Sequence, residues 1–124
     1  MAGAMRASAS PPRPLEFLRA HGYFSPMTRE EVLRRLKSFE RPLRLEGIRA
    51  LYLFGSVARG EAGPDSDVDL LFDLGDAPHF SLLDQADIQV RLSDALGLNV
   101  DFVPRSALRP RVRERVEPEM VRVF

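Results

Sequence analysis

With 124 residues, 44% of them hydrophobic, the chain has the length of one ordinary domain around one core, and the absence of cysteine excludes disulfides, thiolate metal ligands and a thiol nucleophile. A net charge of zero gives no bulk attraction to nucleic acid or to an anionic membrane surface, and no apolar run approaches the length of a membrane span. The charges are segregated, however: nine acids face one base, Arg91, between Glu61 and Asp94, whereas the stretch from Arg105 to Arg122 tips basic.

Residues 1–26 read as a flexible N-terminal extension, because Pro11, Pro12, Pro14 and Pro26 interrupt any long element. They contain no apolar h-region, so nothing indicates export and a cytoplasmic location is expected. The domain proper is read as 27–124. Thr28-Arg29-Glu30-Glu31 is a capping-box pattern, and Val32, Leu33, Leu36 and Phe39 then recur at helical spacing. Pro42 is expected to kink or end this helix, and Gly47 suits a helix C-terminus. Ile48 to Phe54 reads as a buried strand, Ser56 to Gly60 as a short helical turn, Gly63-Pro64 as a turn and Val68 to Leu74 as a second strand. Ser81 to Leu96 reads as a helix stopped by Gly97, and Leu98 to Val103 as a third strand. Ser106 is expected to cap a last helix from about Ala107 to Val116, and Met120 to Phe124 to pack down or add a short strand. The order implies an α/β (α+β) domain, a small mixed sheet packed by helices.

The chemistry concentrates between Leu51 and Leu74. Side chains alternate along a strand, so Asp67 and Asp69 point the same way while Val68, Leu70 and Phe72 point into the core. Two carboxylates that close repel each other unless a cation neutralises them, and their hard oxygens suit Mg²⁺ or Mn²⁺. A pair of solvated aspartates at a strand entry is the alternative. Gly55-Ser56 shifts the balance: glycine allows a phosphate close to the backbone, and the Ser56 hydroxyl with the following N–H groups can bond phosphate oxygens. Arg59 reads equally as a phosphate ligand or a surface arginine. On the third strand Asn99 and Asp101 share the face opposite Leu98, Val100 and Phe102, so Asp101 joins Asp67 and Asp69 if that strand pairs beside the second. Asp73, Asp76, Asp84, Asp87 and Asp94 read as a solvated acidic face, Arg105, Arg109, Arg111, Arg113 and Arg115 as a solvated helix face, and Tyr52 as a strand residue without site context.

Gly55-Ser56, ten intervening residues and Asp67-Val68-Asp69 form the GSx10DxD motif, by which the chain resembles the DNA polymerase β-like nucleotidyltransferases. The longer string GSVARGEAGPDSDVDLL is similar to the minimal nucleotidyltransferases, or MNT proteins, and the resemblance runs from about Thr28 to Phe124. It implies a nucleotidyltransferase palm and transfer from ATP or another NTP with two divalent ions, Mg²⁺ or Mn²⁺. Asp67 and Asp69 would hold both ions, Asp101 would complete the site for the ion that activates the acceptor hydroxyl, and Gly55 and Ser56 would hold the triphosphate. MNT proteins are frequently paired with a small helical HEPN toxin, which implies an antitoxin that transfers AMP to a tyrosine of that partner. A contact-only antitoxin with a vestigial site, and transfer to RNA or to a small hydroxylated molecule, are the competing readings. Neither a nucleic-acid nor a membrane partner is expected.

Overall fold

Thr28 starts the first helix as its sequence requires. In the computed structural model, which describes residues 28–61, 66–76 and 79–124, the Thr28 hydroxyl accepts from the Glu31 N–H at 3.1 Å, and the Glu31 carboxylate accepts from the Thr28 N–H at 3.2 Å. The expectations for the extension 1–26 and for the Gly63-Pro64 turn lie outside the described residues. Helix α1 (Arg29–Lys37) buries Val32 and Leu36 and presents its arginines outward. Pro42 does not end it. Pro42 lies in the first turn of a separate short helix, α2 (Glu40–Leu45), where its missing N–H removes no intrahelical bond.

Strand β1 (Ile48–Phe54) runs straight into a single helical turn, α3 (Gly55–Ala58), and the chain returns as β2 (Val68–Leu74). Helix α4 (Leu82–Leu96) then crosses over to β3 (Val100–Pro104). Both ends of α4 are fixed by local chemistry. Ser81 and Asp84 form a reciprocal capping box, and Gly97 ends the helix at φ 69°, a left-handed conformation that a side chain would strain. Strand β3 starts two residues later than its apolar pattern suggests. The Leu98 N–H is tied back to the Ser93 carbonyl, which keeps that residue with the helix end.

The sheet has the order β3-β2-β1-β4, where β4 is the short strand Val121–Arg122. The β1–β2 and β1–β4 pairs are antiparallel and the β2–β3 pair is parallel. One face of β2 (Val68, Leu70 and Phe72, all at most 1% exposed) packs with Ile88, Leu92 and Leu96 of α4 and with Val32 and Leu36 of α1. Phe72 stacks on Phe102 at 4.2 Å between ring centroids and meets Phe80 at 5.7 Å. Asp69 and Asp73 alternate onto the other face.

Between β3 and β4 a 3₁₀ turn (Arg105–Ala107), helix α5 (Pro110–Val116) and a second 3₁₀ turn (Glu117–Glu119) are anchored over that other face. Ser106 does not cap α5. It is taken up in the 3₁₀ turn, and the helix begins at Pro110, whose fixed φ and absent N–H suit a first helical position. The solvated readings of Arg105 and Asp73 are also corrected, whereas Tyr52 is the strand residue expected. Arg105 Nε and Nη2 each lie 2.9 Å from an oxygen of Asp73, the Tyr52 hydroxyl donates to the same carboxylate at 3.2 Å, and the Asp73 side chain is only 12% exposed. Arg105 also reaches Glu117 at 3.3 Å and lies over the Tyr52 ring. Asp84 is likewise a helix cap and not merely part of an acidic face. Arg105→Ala strands the Asp73 carboxylate with a single donor, and we expect a loss of about 2 kcal/mol, read from the urea midpoint at unchanged m-value.

Candidate active site

The parallel register sets Asp69 directly beside Asp101, and the antiparallel register sets Asp69 beside Phe54. Phe54, Asp69 and Asp101 therefore form one row across three strands on the face away from α4. Asp67 precedes β2 by one residue and shares the parity of Asp69. Asp69 and Asp101 thus meet at one end of the sheet, so the pairing on which Asp101 depended is present, and Asp67 acts on Asp69 through its charge. Asp101 is exposed, so its position is not maintained against the cost of burying a charge.

Gly55 follows Phe54 and adjoins the same row. Its φ is +79°, and a Cβ built on it would lie 2.3 Å from Asp69 Oδ2. Glycine is required there twice, by backbone conformation and by the carboxylate against its Cα. The Asp69 carboxyl pKa is pushed up to about 6, first by burial, then by the negative charge of Asp101 and a hydrogen bond with it, and further by Asp67. Arg59 opposes the shift weakly. The carboxylate row is therefore short of positive charge.

Among the described residues, no three His, Cys, Asp or Glu side chains are already gathered as a finished metal cage. The donor chemistry nevertheless fits hard divalent cations: carboxylate oxygens alone, one of them partly desolvated and repelled by its neighbours. Ser56, half-buried in α3, stands next to Gly55. Arg59 is engaged elsewhere, with Glu61 at 3.0 Å and Glu119 at 3.1 Å, so it joins α3 to the 3₁₀ turn after α5.

A cavity of about 290 Å³ opens beside Gly55, with Phe54, Val112 and Val116 among its walls. Sequence reasoning missed this wall: Val112 and Val116 lie far from the motif in the chain, and their spacing signals only one face of a helix. A larger cavity of about 680 Å³ lies at the opposite ends of β1 and β2, around Ile48, Gly75 and Phe80. It contains none of the motif residues, whereas Gly55 borders the smaller space. Among the described residues no helix is long and apolar enough to cross a membrane.

Residues 29–123 match the model of a family described as a nucleotidyltransferase domain. The protein adenylyltransferase MntA of Thermococcus cleftensis is 40% identical over 98 residues, covering 78% of this chain and 97% of that protein. A solved structure described as a minimal nucleotidyltransferase is 38% identical with a TM-score of 0.68, covering 79% of this chain and 98% of that one. The fold is shared at a TM-score of 0.58 and 15% identity with a chain from the structure of a tri-AMPylated Shewanella oneidensis HEPN toxin in complex with MNT antitoxin, covering 78% of this chain and 72% of that one. With a family match spanning the described fold and the carboxylate row seated beside Gly55, the chain belongs to the nucleotidyltransferase domain family and is a nucleotidyltransferase of the minimal kind.

Proposed function

We propose that this chain transfers AMP from ATP to a hydroxyl, most simply a tyrosine, of a helical HEPN toxin, and so acts as its antitoxin in the cytoplasm. The observation that carries the reading is the register that sets Asp69 beside Asp101 with Gly55 against the Asp69 carboxylate. The 40% identity to a protein adenylyltransferase supports adenylyl transfer, and the fold shared with an antitoxin bound to an AMPylated toxin supports the partner class. The catalytic unit is 27–124, with 1–26 as an extension.

In this reading Gly55 lets the triphosphate approach the backbone, and the Ser56 hydroxyl donates to one of its oxygens. Asp67 and Asp69 would hold two Mg²⁺ ions, and Asp101 would complete the site of one of them. When bound, such ions supply charge neutralisation for the departing pyrophosphate and a lowered pKa for the attacking hydroxyl. The protein's own contribution is position. Asp101, on the β3 side of Asp69, is placed to take the hydroxyl proton, while Gly55 and Ser56, on the β1 side, hold the phosphates that leave. The exposed Asp101 side leaves room for a hydroxyl carried by a second protein.

The test is incubation with labelled ATP, Mg²⁺ and the protein encoded by the neighbouring gene. Wild type is expected to add the mass of AMP to that protein, and Asp67→Asn/Asp69→Asn to add none. Label that persists in the double variant sinks the assignment. Full neutralisation of the partner by the double variant, without a mass change, would favour the contact-only antitoxin.

A further inference from the structure

We infer that the space between Phe54-Gly55 and helix α5 is the nucleoside site, where the base and ribose of the bound nucleotide rest against Val112 and Val116. This rests on the nucleotidyl-transfer reading and goes beyond it, because neither the motif nor the relatives' names assign any residue to the nucleoside.

Three observations converge. The first is placement. Phe54 stands in the same row as Asp69 and Asp101, and Gly55 both lies too near the Asp69 carboxylate to carry a Cβ and borders the cavity. A nucleotide with its phosphates at Gly55-Ser56 therefore has this space within its own length. The second is the chemistry of the walls. Phe54, Val112 and Val116 supply the apolar and aromatic surface that a flat, weakly hydrated ring prefers over water. Val112 and Val116 are four residues apart, which puts them one above the other on a single face of α5. Charged groups, Arg59, Arg115 and Glu119, make up the rest of the lining and suit the ribose hydroxyls and the phosphate end. The third is size and definition. About 290 Å³ is close to the lower limit of small-molecule sites, which suits one nucleoside and not a protein segment. The wall is also fixed at both ends, by Arg105 bonded to Asp73 and Glu117 and by Arg59 bonded to Glu119, so it is formed before a ligand arrives.

The assignment divides the catalytic end of the sheet. The nucleoside and leaving phosphates occupy the β1 side, under α5, and the acceptor approaches over β3, where Asp101 is exposed.

The experiment compares binding of a non-hydrolysable ATP analogue with binding of inorganic tripolyphosphate, both with Mg²⁺, by calorimetry on the full chain. Wild type should bind the analogue at least tenfold more tightly than tripolyphosphate. Val112→Trp and Val116→Trp, which fill the space, should lose that advantage while their tripolyphosphate affinity stays within twofold of wild type. Should either tryptophan variant fail to fold by circular dichroism, Val112→Ala and Val116→Ala serve instead, with a three- to tenfold loss expected for the analogue alone. Unchanged analogue affinity in folded variants overturns the assignment and leaves the transfer reading intact. Wild type that binds the analogue no better than tripolyphosphate does the same. Wild type that binds neither overturns both. Normal analogue binding with slowed transfer in the tryptophan variants would assign the space to the acceptor and overturn the nucleoside.

Discussion

Asp69→Asn is expected to abolish nucleotidyl transfer and, at the same time, to raise the melting temperature of the metal-free protein. The loss of activity follows from position. Asp69 is the central member of the row, between Phe54 and Asp101, and an amide there is a weaker ligand for cations and leaves the forming charges uncompensated. Removal of one preorganised charge-stabilising group typically costs on the order of 10²–10³ in rate, and a cation ligand belongs at the upper end. The gain in stability follows from the carboxyl pKa of about 6, raised by burial and by Asp101 and Asp67. A carboxyl whose pKa is higher folded than unfolded binds more protons in the native state. The fold is then favoured below the unfolded pKa, near 4, and loses that advantage as pH rises through 6. At pH 7.5 the ionised wild type carries the full penalty. With solvent screening it is about 1–2 kcal/mol, or several degrees in melting temperature. Calorimetric scans of both proteins in EDTA at pH 4.5, 6 and 7.5 should show the gap opening with pH, and Mg²⁺ should stabilise only the wild type. A gap that is constant across pH would show that the carboxylate repulsion is not there.

Gly55→Ala is expected to be nearly as damaging from outside the carboxylate set. The new methyl needs both a positive φ of 79° and the 2.3 Å occupied by Asp69 Oδ2. The backbone strain alone costs about 1–2 kcal/mol. The clash is relieved only by turning the Asp69 carboxylate away, which displaces it from Asp101. A fall in kcat on the order of 10²-fold is expected, from misplacement of a group whose identity is unchanged. Ser56→Ala, which removes a hydroxyl and leaves the carboxylates alone, should affect nucleotide affinity more than kcat. Single-turnover kinetics at saturating ATP separate the two.

The relation between chain and fold is uneven for physical reasons. The extents of β1 and β2 agree with the pattern at every residue, because both strands are bounded by abrupt changes: Gly47 before β1, Gly55 after it, and the polar Asp67 before β2. The caps at Thr28 and Ser81 were equally legible, since a capping box is a local chemical arrangement that needs no tertiary context. The region after β3 was harder. The spacing of Arg105, Arg109, Arg111, Arg113 and Arg115 suggested one solvated helix, but Arg105 lies ahead of the helix and is directed to Asp73, a residue from another strand. Nothing local marks such a bond. The same holds for the bond of Arg59 to Glu119, sixty residues away, although its bond to Glu61 is local. Asp69 and Asp101 were legible as like-facing acids; the lack of room for a side chain at Gly55 beside Asp69 was not, because distance across a sheet is invisible in sequence.

The parallel pairing of β2 with β3 gives the site an all-or-none character. Strand side chains alternate with a period of two, so a slip of one residue in that register would not move Asp101 slightly. It would send the carboxylate into the core beneath α4 and push Val100 or Phe102 out to the nucleotide. Besides the buried Val100 and Phe102, the crossover holds the register: a helix started by Ser81, stopped by Gly97, and a link whose Val100 N–H is held by the Ser93 hydroxyl. Lengthening that link by one residue would therefore act as a catalytic knockout written in a loop that touches no substrate. The permitted length of the chain between Gly97 and Asp101 is as much a part of the proposed site as the aspartates are.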